Sequence, residues 1–428
     1  MADTRLRELG TASAMALTIG SMVGVGAFTT SGFALAALGG PGPVLAAWLV
    51  GGAIALCGAL SYAALGRALP ESGGEYLYLS RLVHPLAGFL AGWISLLVGF
   101  TAPIAAAALT LDAYSAAALG ADAPPWIGGA AIVVAAALHA RWRPAGVAVQ
   151  NGAVLVQLAL LGGLLLAGLP TLWASGGALL GGWRAATPAG FGQTLMWIGF
   201  SYSGWNAAVY VAGELRDPGH TLPRAMLAAT LLVTAIYTVL NAVLLAAAPA
   251  AAGRADIGAV AAAAIGGEPL RRVVAVLVAV ALCASISSLL MAGPRVVARM
   301  AADGLLPAWL APRGPAPTAA VLLQAALALI VARSSTLAAL LGGIGFVLGL
   351  SAAASVAAFC WRGWRDLAAW QRGAALVFVL ATLAASAGMV ARAPLSAAIG
   401  IAVVAAGLPA YALLRRRAAN QQSVGGPP

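Results

Sequence analysis

Two interruptions in long apolar runs hold the residues whose types and spacing could do chemistry. The first contains Gly20, Gly24 and Gly26, and the second contains Gly199 and Gly204 among small polar residues. Glycine costs about 1 kcal/mol relative to alanine inside a helix, so this clustering favours local unwinding. An interrupted helix exposes backbone N–H groups at the start of its second half and C=O groups at the end of its first half.

Unwound backbone of this kind suits a zwitterion. The positive end of a helix attracts a carboxylate and the negative end attracts an ammonium, and a free α-amino acid carries both groups. No Asp, Glu or Arg lies in the middle of either run. We therefore expect an amino acid to be held by backbone termini. For the first run a second interpretation stays open, because Gly20 and Gly24 also match a small-xxx-small helix-packing motif.

The composition indicates whether the chain folds in water or in a membrane. The chain has 428 residues, of which 62% are hydrophobic and 8% are charged, whereas about a quarter of an average soluble domain is charged. This excludes a soluble enzyme, a disordered chain and a disulfide scaffold. The apolar runs are continuous and too long for the strands of a membrane barrel. The sequence therefore predicts an all-α polytopic membrane protein.

The apolar runs predict about twelve transmembrane helices, since each approaches the roughly 20 residues that span a bilayer. The glycine-rich interruptions fall in helices 1 and 6, the first helices of two sets of five. Because five is odd, the second set enters the membrane inverted, which predicts a 5+5 inverted repeat with a midplane site. The predicted spans are 11–35, 43–66, 86–118, 125–140, 145–169, 190–213, 224–248, 270–293, 317–332, 336–361, 373–391 and 394–414.

These spans divide the chain into five predicted parts. They are a cytoplasmic N-terminus (1–10), a first five-helix repeat (11–169), a second, inverted repeat (190–361), two C-terminal helices (373–414) and a cytoplasmic tail (415–428).

Arginine placement predicts the orientation. All 23 basic residues are Arg, and most lie in segments that are inside if the N-terminus is cytoplasmic. By the positive-inside rule, both termini are then cytoplasmic. The net charge of +11 follows from topology and requires no nucleic-acid partner. We expect no cleavable signal peptide, because Asp3 and Glu8 precede a long first apolar run.

Four segments resemble motifs of the amino acid–polyamine–organocation (APC) superfamily of permeases, in the same order along the chain. The most specific is the second interruption with the loop that follows it. The segments are Gly20–Phe28, Pro70–Tyr78, Phe200–Asn206 with Glu214–Pro218 and Leu222–Ala225, and Gly293–Pro307. The last two helices carry no such motif.

The resemblance implies a LeuT-like fold and secondary transport of amino acids by alternating access. Gly24, Val25 and Gly26 match the carboxylate-binding turn, where Val25 removes the hydroxyl of a frequent Ser. Met22 matches the position whose carbonyl faces the substrate amine. Further matches lie in helix 6. Phe200 matches the aromatic residue that closes over the substrate. Ser203 and Gly204 match the unwound turn, and Trp205 and Asn206 match its continuation. Without the resemblance, ordinary helix packing would be the preferred interpretation of Phe200 and Trp205.

One position, which concerns the coupling of transport to an ion, departs from the family pattern. Many relatives carry a Lys in helix 5, where this chain has Gln157, which neither titrates nor replaces a cation. A polar residue at this depth is expected to face the bundle interior. Ser285, Ser287 and Ser288 lie where sodium-coupled relatives place hydroxyl ligands, so a sodium site near Ser287 and Ser288 is one alternative. The other is that these hydroxyls bond to their own helix backbone. The coupling ion, a proton or sodium, stays open.

Gating residues follow from the same resemblance. Helices 1, 2, 6 and 7 are expected to rock against helices 3, 4, 8 and 9. Phe200 is expected to be the midplane gate. Glu214, Arg216 and Asp217 are expected to form the inner gate with the Pro70–Tyr78 loop and the 293–307 segment. Arg295, Arg299 and Asp303 recur every four residues, which predicts one face of a helix lying on the membrane.

Three function classes compete. The leading one is a permease or exchanger of neutral, small or aliphatic amino acids in a bacterial-type plasma membrane, with walls from Val25, Ala105–Ala108 and Gly342–Phe346. Asp112, the nearest acid, lies towards the outer end of helix 3. Alternatives are a carrier of an organic amine or polyamine, or an amino acid exporter. An enzyme is disfavoured, because isolated His139 and Cys283 lack partners in sequence. We expect no cofactor and no metal centre, and a monomer or homodimer.

Overall fold

The computed structural model describes residues 9–24, 26–119, 124, 126–141, 143–314, 316–334, 345–392 and 394–424. Within these ranges the regular elements are helices, and the single bridge between extended residues joins Leu9 to Leu215. The prediction of an all-α polytopic membrane protein is confirmed.

The described residues of the first half form eight α-helices. A π-helical stretch at Ser95–Thr101 joins α5 to α6 without a break. The helices are α1 (Thr11–Met22), α2 (Gly26–Leu38), α3 (Pro41–Ala68), α4 (Gly74–Leu82), α5 (Pro85–Ile94), α6 (Ala102–Leu119), α7 (Ile127–Arg141) and α8 (Arg143–Ser175).

The described residues of the second half form seven α-helices, and a 3-10 segment, Ala207–Glu214, follows α9 after a turn. The helices are α9 (Pro188–Ser201), α10 (Pro218–Ala247), α11 (Ile257–Ala302), α12 (Thr318–Ser334), α13 (Gly345–Gly363), α14 (Ala369–Arg392) and α15 (Pro394–Val424).

Seven helical segments in the described chain are long and apolar enough to cross a bilayer, or eight if the bent pair α1 and α2 counts as one span. Three further apolar helices, α7, α12 and most of α13, are shorter than these segments. The twelve spans therefore stay a prediction. The surfaces of α8, α14 and α15 are largely apolar and exposed, as expected for helix faces in contact with lipid.

Both predicted interruptions are present. α1 ends at Met22 and α2 begins at Gly26. α9 ends at Ser201, and the chain turns through Gly204 before it resumes as the 3-10 segment. Each interruption replaces part of a membrane-length helix by unwound backbone, as the glycine content predicts.

The 293–307 segment differs from its prediction. Instead of a separate helix on the membrane surface, residues up to Ala302 continue α11, which is kinked near its start at Gly266 and Gly267. Arg295 is only 5% exposed within this helix, because it is paired with Glu214. Arg299 and Asp303 do share a helix face and form an ion pair.

A buried polar chain ties α2, α3 and α10 together beside the interruptions. Trp48 Nε1 donates to Ser31 Oγ at 2.8 Å, and Ser31 donates to the Asn241 side-chain oxygen. The Trp48 ring also packs edge-on against Tyr202 and Tyr237. Since Asn241 is fully buried, its amide fixes the position of α10 against α2 and α3.

Asn241→Leu is expected to lower the free energy of unfolding by about 1–3 kcal/mol, because it leaves the buried Ser31 hydroxyl without its acceptor. Thermal unfolding of the purified protein in detergent measures the change. Thr238→Val on the same helix removes only a bond to the helix's own Thr234 carbonyl and should be nearly neutral. Equal unfolding of the Leu variant and the wild type would contradict this role.

Candidate functional site

A cavity of about 100 Å³ lies where the two interruptions meet. A single water needs about 10–15 Å³ on this measure, so there is room for several such groups. The first interruption and the adjoining ends of α1 and α2 contribute Ser21, Met22, Gly24 and Gly26 to the walls. The second interruption contributes Phe200, Ser203, Gly204 and Asn206.

The remaining walls come from the π-helical stretch, α6, the 3-10 segment, α11 and α13, and are mainly small or apolar. The π-helical stretch supplies Gly99 and Phe100, and α6 supplies Ala106 and Ala107, two of the expected alanines. α11 and α13 add Leu282, Ser285 and Leu348 in the list of lining residues. No Asp, Glu, Arg or His occurs among the lining residues that the structure describes. The cavity is therefore electrically neutral apart from backbone dipoles.

The carbonyl groups at the end of α1 are held by two distant side chains. The Tyr237 hydroxyl donates to Met22 O at 2.8 Å and lies 3.2 Å from Ser201 O, so it touches both interruptions. Gln157 Nε2 donates to Val23 O at 3.2 Å from a fully buried position on α8. The expectation that Gln157 faces the bundle interior is confirmed. The unwound end of α1 is thus fixed by neutral donors.

The turn after α9 requires glycine at Gly204. Its φ is +102°, and a Cβ there would lie 2.6 Å from the Ser21 carbonyl oxygen. The two interruptions therefore approach each other backbone to backbone at this position. A Cβ on Gly26 would likewise lie 2.6 Å from Ser201 Oγ, and Ser201 and Thr30 share a 3.0 Å hydrogen bond.

A buried carboxylate lies behind two of the cavity residues. Glu75, at the start of α4, accepts hydrogen bonds from Asn206 Nδ2 at 2.7 Å and from the Tyr210 hydroxyl at 2.7 Å. The Tyr62 hydroxyl of α3 donates to the same carboxylate at 2.8 Å. Both Asn206 and Tyr210 line the cavity, so Glu75 fixes their orientation.

An ionic cluster, defined as Glu71, Glu214, Arg295, Arg299 and Asp303, joins the loop before α4 to α11 and the 3-10 segment. Arg295 Nε donates to Glu214 at 3.0 Å, and Arg299 donates to Glu71 at 2.6 Å and pairs with Asp303. Tyr76 donates to Asp303 at 2.6 Å. Burial and this hydrogen bond raise the pKa of Tyr76, so its phenol stays protonated.

The structure brings most of the expected binding residues together at the cavity. They are Met22, Gly24, Gly26, Phe200, Ser203, Gly204 and Asn206. Ser285, a coupling candidate, lines the same cavity. Val25 and residues 342–344 lie outside the described residues. Trp205 is placed differently from its expectation, because its ring packs edge-on against Tyr62 and Phe378.

Of the three expected inner-gate residues, Glu214 belongs to the ionic cluster. Arg216 and Asp217 are exposed, and Asp217 pairs with His220. Asp112 accepts from the Gly128 backbone at the start of α7.

Two of the three candidate serines of α11 have protein partners. Ser287 Oγ lies 2.8 Å from His139 Nε2, and Gln150 donates to Ser288. His139 is buried and bonded to Ser287, although no partner lies near it in sequence. Among the described residues no group of three or more His, Cys, Asp or Glu side chains could hold a metal ion.

Sequence reasoning missed Glu75, Tyr210 and Tyr237 as site residues. Glu75 stands inside the quoted Pro70–Tyr78 motif, where an acid between two glycines and two tyrosines was the available signal. Tyr237 lies in an apolar run with no local signal, because its partners are 215 and 36 residues away along the chain.

Discontinuous helices that meet at a central cavity are the architecture of secondary transporters. The comparison with known families agrees, because the family model described as "Amino acid permease" matches residues 9–408. The chain belongs to this amino acid permease family, and the resemblance to the APC superfamily is confirmed.

Individual relatives are amino acid transporters by name. The chain is 31% identical over 242 residues to the "Serine/threonine exchanger SteT" of Bacillus subtilis (strain 168), covering 56% of this chain and 55% of the relative. It is 29% identical over 249 residues to the mouse "Asc-type amino acid transporter 1", covering 55% and 47%. For the human "Large neutral amino acids transporter small subunit 2" the identity is 30% over 250 residues, covering 55% and 46%. The chain thus spans about half the length of these curated relatives.

Gly204→Ala is expected to destabilise the fold by roughly 1–3 kcal/mol, because alanine at positive φ is strained and its methyl group would collide with Ser21. Ligand binding should be lost in parallel. Gly199→Ala is the matched control, since a Cβ there meets nothing within 4 Å and alanine favours the helix. Thermal unfolding of both variants measures the difference, and equal stability would contradict the close approach of the two interruptions.

Proposed function

We propose that the protein is a secondary transporter that exchanges neutral amino acids across a membrane. The observation that carries this proposal is the cavity formed by both interruptions, which is lined by their unwound backbone and by uncharged side chains. Helix N-termini favour a carboxylate and C-terminal carbonyls favour an ammonium. The cavity therefore offers complementary ends to one zwitterion and no partner for a charged side chain.

The proposed substrates are small or aliphatic. The volume of about 100 Å³ and the small residues Gly99, Ala106 and Ala107 support this size class. Ser21 also lines the cavity, and its hydroxyl has no hydrogen-bond partner among the described residues. It is available to a polar substrate group such as the α-carboxylate or a hydroxyl. The names of the relatives, which include a serine/threonine exchanger, favour the same class.

Alternating access is proposed to proceed by movement of α1, α2, α3, α9 and α10 against α5, α6, α7, α11 and α12. Each of these two groups takes helices from both proposed inverted five-helix repeats, 11–169 and 190–361, and a C-terminal pair follows at 373–414. Cytoplasmic termini and a bacterial-type plasma membrane complete the proposal, on the arginine distribution.

Exchange is tested with purified protein in liposomes. We expect labelled L-alanine or L-serine to enter vesicles preloaded with unlabelled neutral amino acids faster than it enters empty vesicles. Arginine and putrescine should compete poorly, because the described cavity residues include no acid. Preferred exchange of arginine or a polyamine would overturn the substrate class, and no exchange of any amino acid would overturn the function.

Phe200→Ala is expected to fold and yet to weaken substrate affinity at least tenfold, about 1.4 kcal/mol, because it removes the aromatic side chain proposed to close over the substrate. The concentration dependence of exchange in liposomes measures this loss. Trp197→Ala lies on the same helix, where Trp197 contacts Phe33 and is not a cavity-lining residue. It should retain wild-type affinity. Unchanged kinetics in the Phe200 variant would contradict its role as gate.

A further inference from the structure

The span that carries Phe100 to the cavity is not a uniform α-helix. Its residues Ser95–Thr101 form a π-helical stretch between α5 and α6. A π-helical turn bonds residue i to residue i+5 and so holds one residue more than an α-helical turn, and such turns are rare. Pro103 follows the stretch and has no N–H to donate to the Gly99 carbonyl, which interrupts the α-helical pattern. Irregular backbone at membrane depth needs partners from other helices.

Gln324 of α12 is such a partner. Its side-chain nitrogen donates to the Thr101 hydroxyl at 2.5 Å and lies 3.4 Å from the Leu96 carbonyl oxygen. The Thr101 hydroxyl donates to the same Leu96 carbonyl at 2.7 Å. Since the hydroxyl has only one proton to donate, its contact with Gln324 needs the amide nitrogen as donor. Gln324 is 0% exposed, so no solvent competes for these bonds.

The bond to Thr101 sets the direction of the residue before it, Phe100. Successive side chains point about 100° apart in an α-helix and somewhat less in the wider π-helical turn, so a Thr101 held against α12 leaves Phe100 facing the cavity. Phe100 lines the cavity beside Gly99, and its ring meets the Tyr210 ring edge-on, with 5.0 Å between the centroids. This part of the cavity wall therefore takes its position from a hydrogen bond that lies behind it.

Gly293 of α11 provides the space for both side chains. A Cβ at this position would lie 2.7 Å from Cγ of Phe100 and 3.0 Å from the side-chain oxygen of Gln324. The backbone of α11 therefore packs directly against the ring and the amide. Gly293 is the first residue of the Gly293–Pro307 motif, so this motif contributes to the cavity wall as well as to the ionic cluster.

The register of the π-helical stretch decides how much room the cavity has. A Cβ on Gly99 would lie 3.1 Å from Cδ1 of Leu348 on α13, so a larger residue in this place would press against that side chain. Return to a regular α-helix would take one residue out of the turn and rotate the lining residues away from their places. The contact with Gln324 stabilises the register in which the smallest residue and the Phe100 ring form this wall.

We propose that Gln324 is a positioning residue that determines which substrate side chains the cavity admits, because it holds the π-helical stretch in the register in which Gly99 and Phe100 line the cavity. The inference rests on the proposed function and adds to it the wall that selects for small side chains. Without the Gln324–Thr101 hydrogen bond the Phe100 ring gains freedom, and larger side chains compete better for the cavity.

The experiment measures the concentrations of L-phenylalanine and of unlabelled L-alanine that halve the exchange of labelled L-alanine by the full-length chain in liposomes. Gln324→Met keeps the length of the side chain and removes the amide, and Thr101→Val keeps the shape and removes the hydroxyl. Each is expected to lower the ratio of the two concentrations about fivefold, the order expected when one hydrogen bond is lost. Because both variants break the same contact, the double variant should lower the ratio no further.

Thr110→Val is the matched control, because it makes the same change in the same span at a buried hydroxyl that bonds to its own helix, at the Ala106 carbonyl. Thr101→Ser keeps the hydroxyl and should keep the wild-type ratio. A merely structural role of Gln324 would lower the yield of folded protein and the rate of exchange and leave the ratio unchanged. An unchanged ratio in Gln324→Met and Thr101→Val, or an equal fall in Thr110→Val, would overturn the proposal.

A measurement without substrate separates this proposal from the proposed function. 4-Fluorophenylalanine is incorporated at Phe100, and its fluorine NMR resonance is recorded in the ligand-free protein. The resonance is expected to shift or broaden in Gln324→Met and Thr101→Val, because the ring moves relative to Tyr210, and to stay in place in Thr110→Val. An unchanged resonance in the first two variants would overturn the positioning role. A resonance that moves in a protein that exchanges no amino acid would support the positioning role and contradict the proposed function.

Discussion

The structure depends on one constraint: backbone polar groups that a helix leaves unpaired inside a membrane protein must find partners. In hydrocarbon each unsatisfied group costs several kcal/mol, so irregular backbone is tolerated only where protein or a wet cavity covers it. At the end of α1, Tyr237 and Gln157 supply two donors to carbonyl groups. At Gly204 the second interruption lies directly against Ser21. The backbone groups that these contacts leave unpaired face the cavity, so the two interruptions form a candidate binding site.

Much of this arrangement was predictable because its signals are local. Glycine clusters predicted both interruptions, hydropathy predicted the fold class, and the ordered motifs predicted the family. A glutamine at membrane depth predicted an inward-facing Gln157. The contacts that complete the site are long-range: Tyr237 carries no local pattern, and burial of Glu75 depends on Tyr62 and Asn206 from other helices. Trp205 and the 293–307 segment were placed differently for the same reason, since Phe378 and Glu214 decide their surroundings.

The cavity is connected to a second polar layer. Asn206 and Tyr210 face the cavity and also bind Glu75, while α4 is tied through Tyr76 to the ionic cluster. The groups that order the site therefore bridge helices on both sides of the proposed movement. Packed interfaces of this kind have discrete arrangements, so a local change at the cavity can select between whole conformations.

The central claim is that the paired interruptions recognise both charges of a zwitterion. The most direct measurement compares the affinities of L-alanine, L-alaninol, which lacks the carboxylate, and propionate, which lacks the amine, for the purified protein. The account predicts that alanine binds and that each analogue binds at least about tenfold more weakly, because one helix terminus then loses its partner. Equal binding of alanine and either analogue would contradict it.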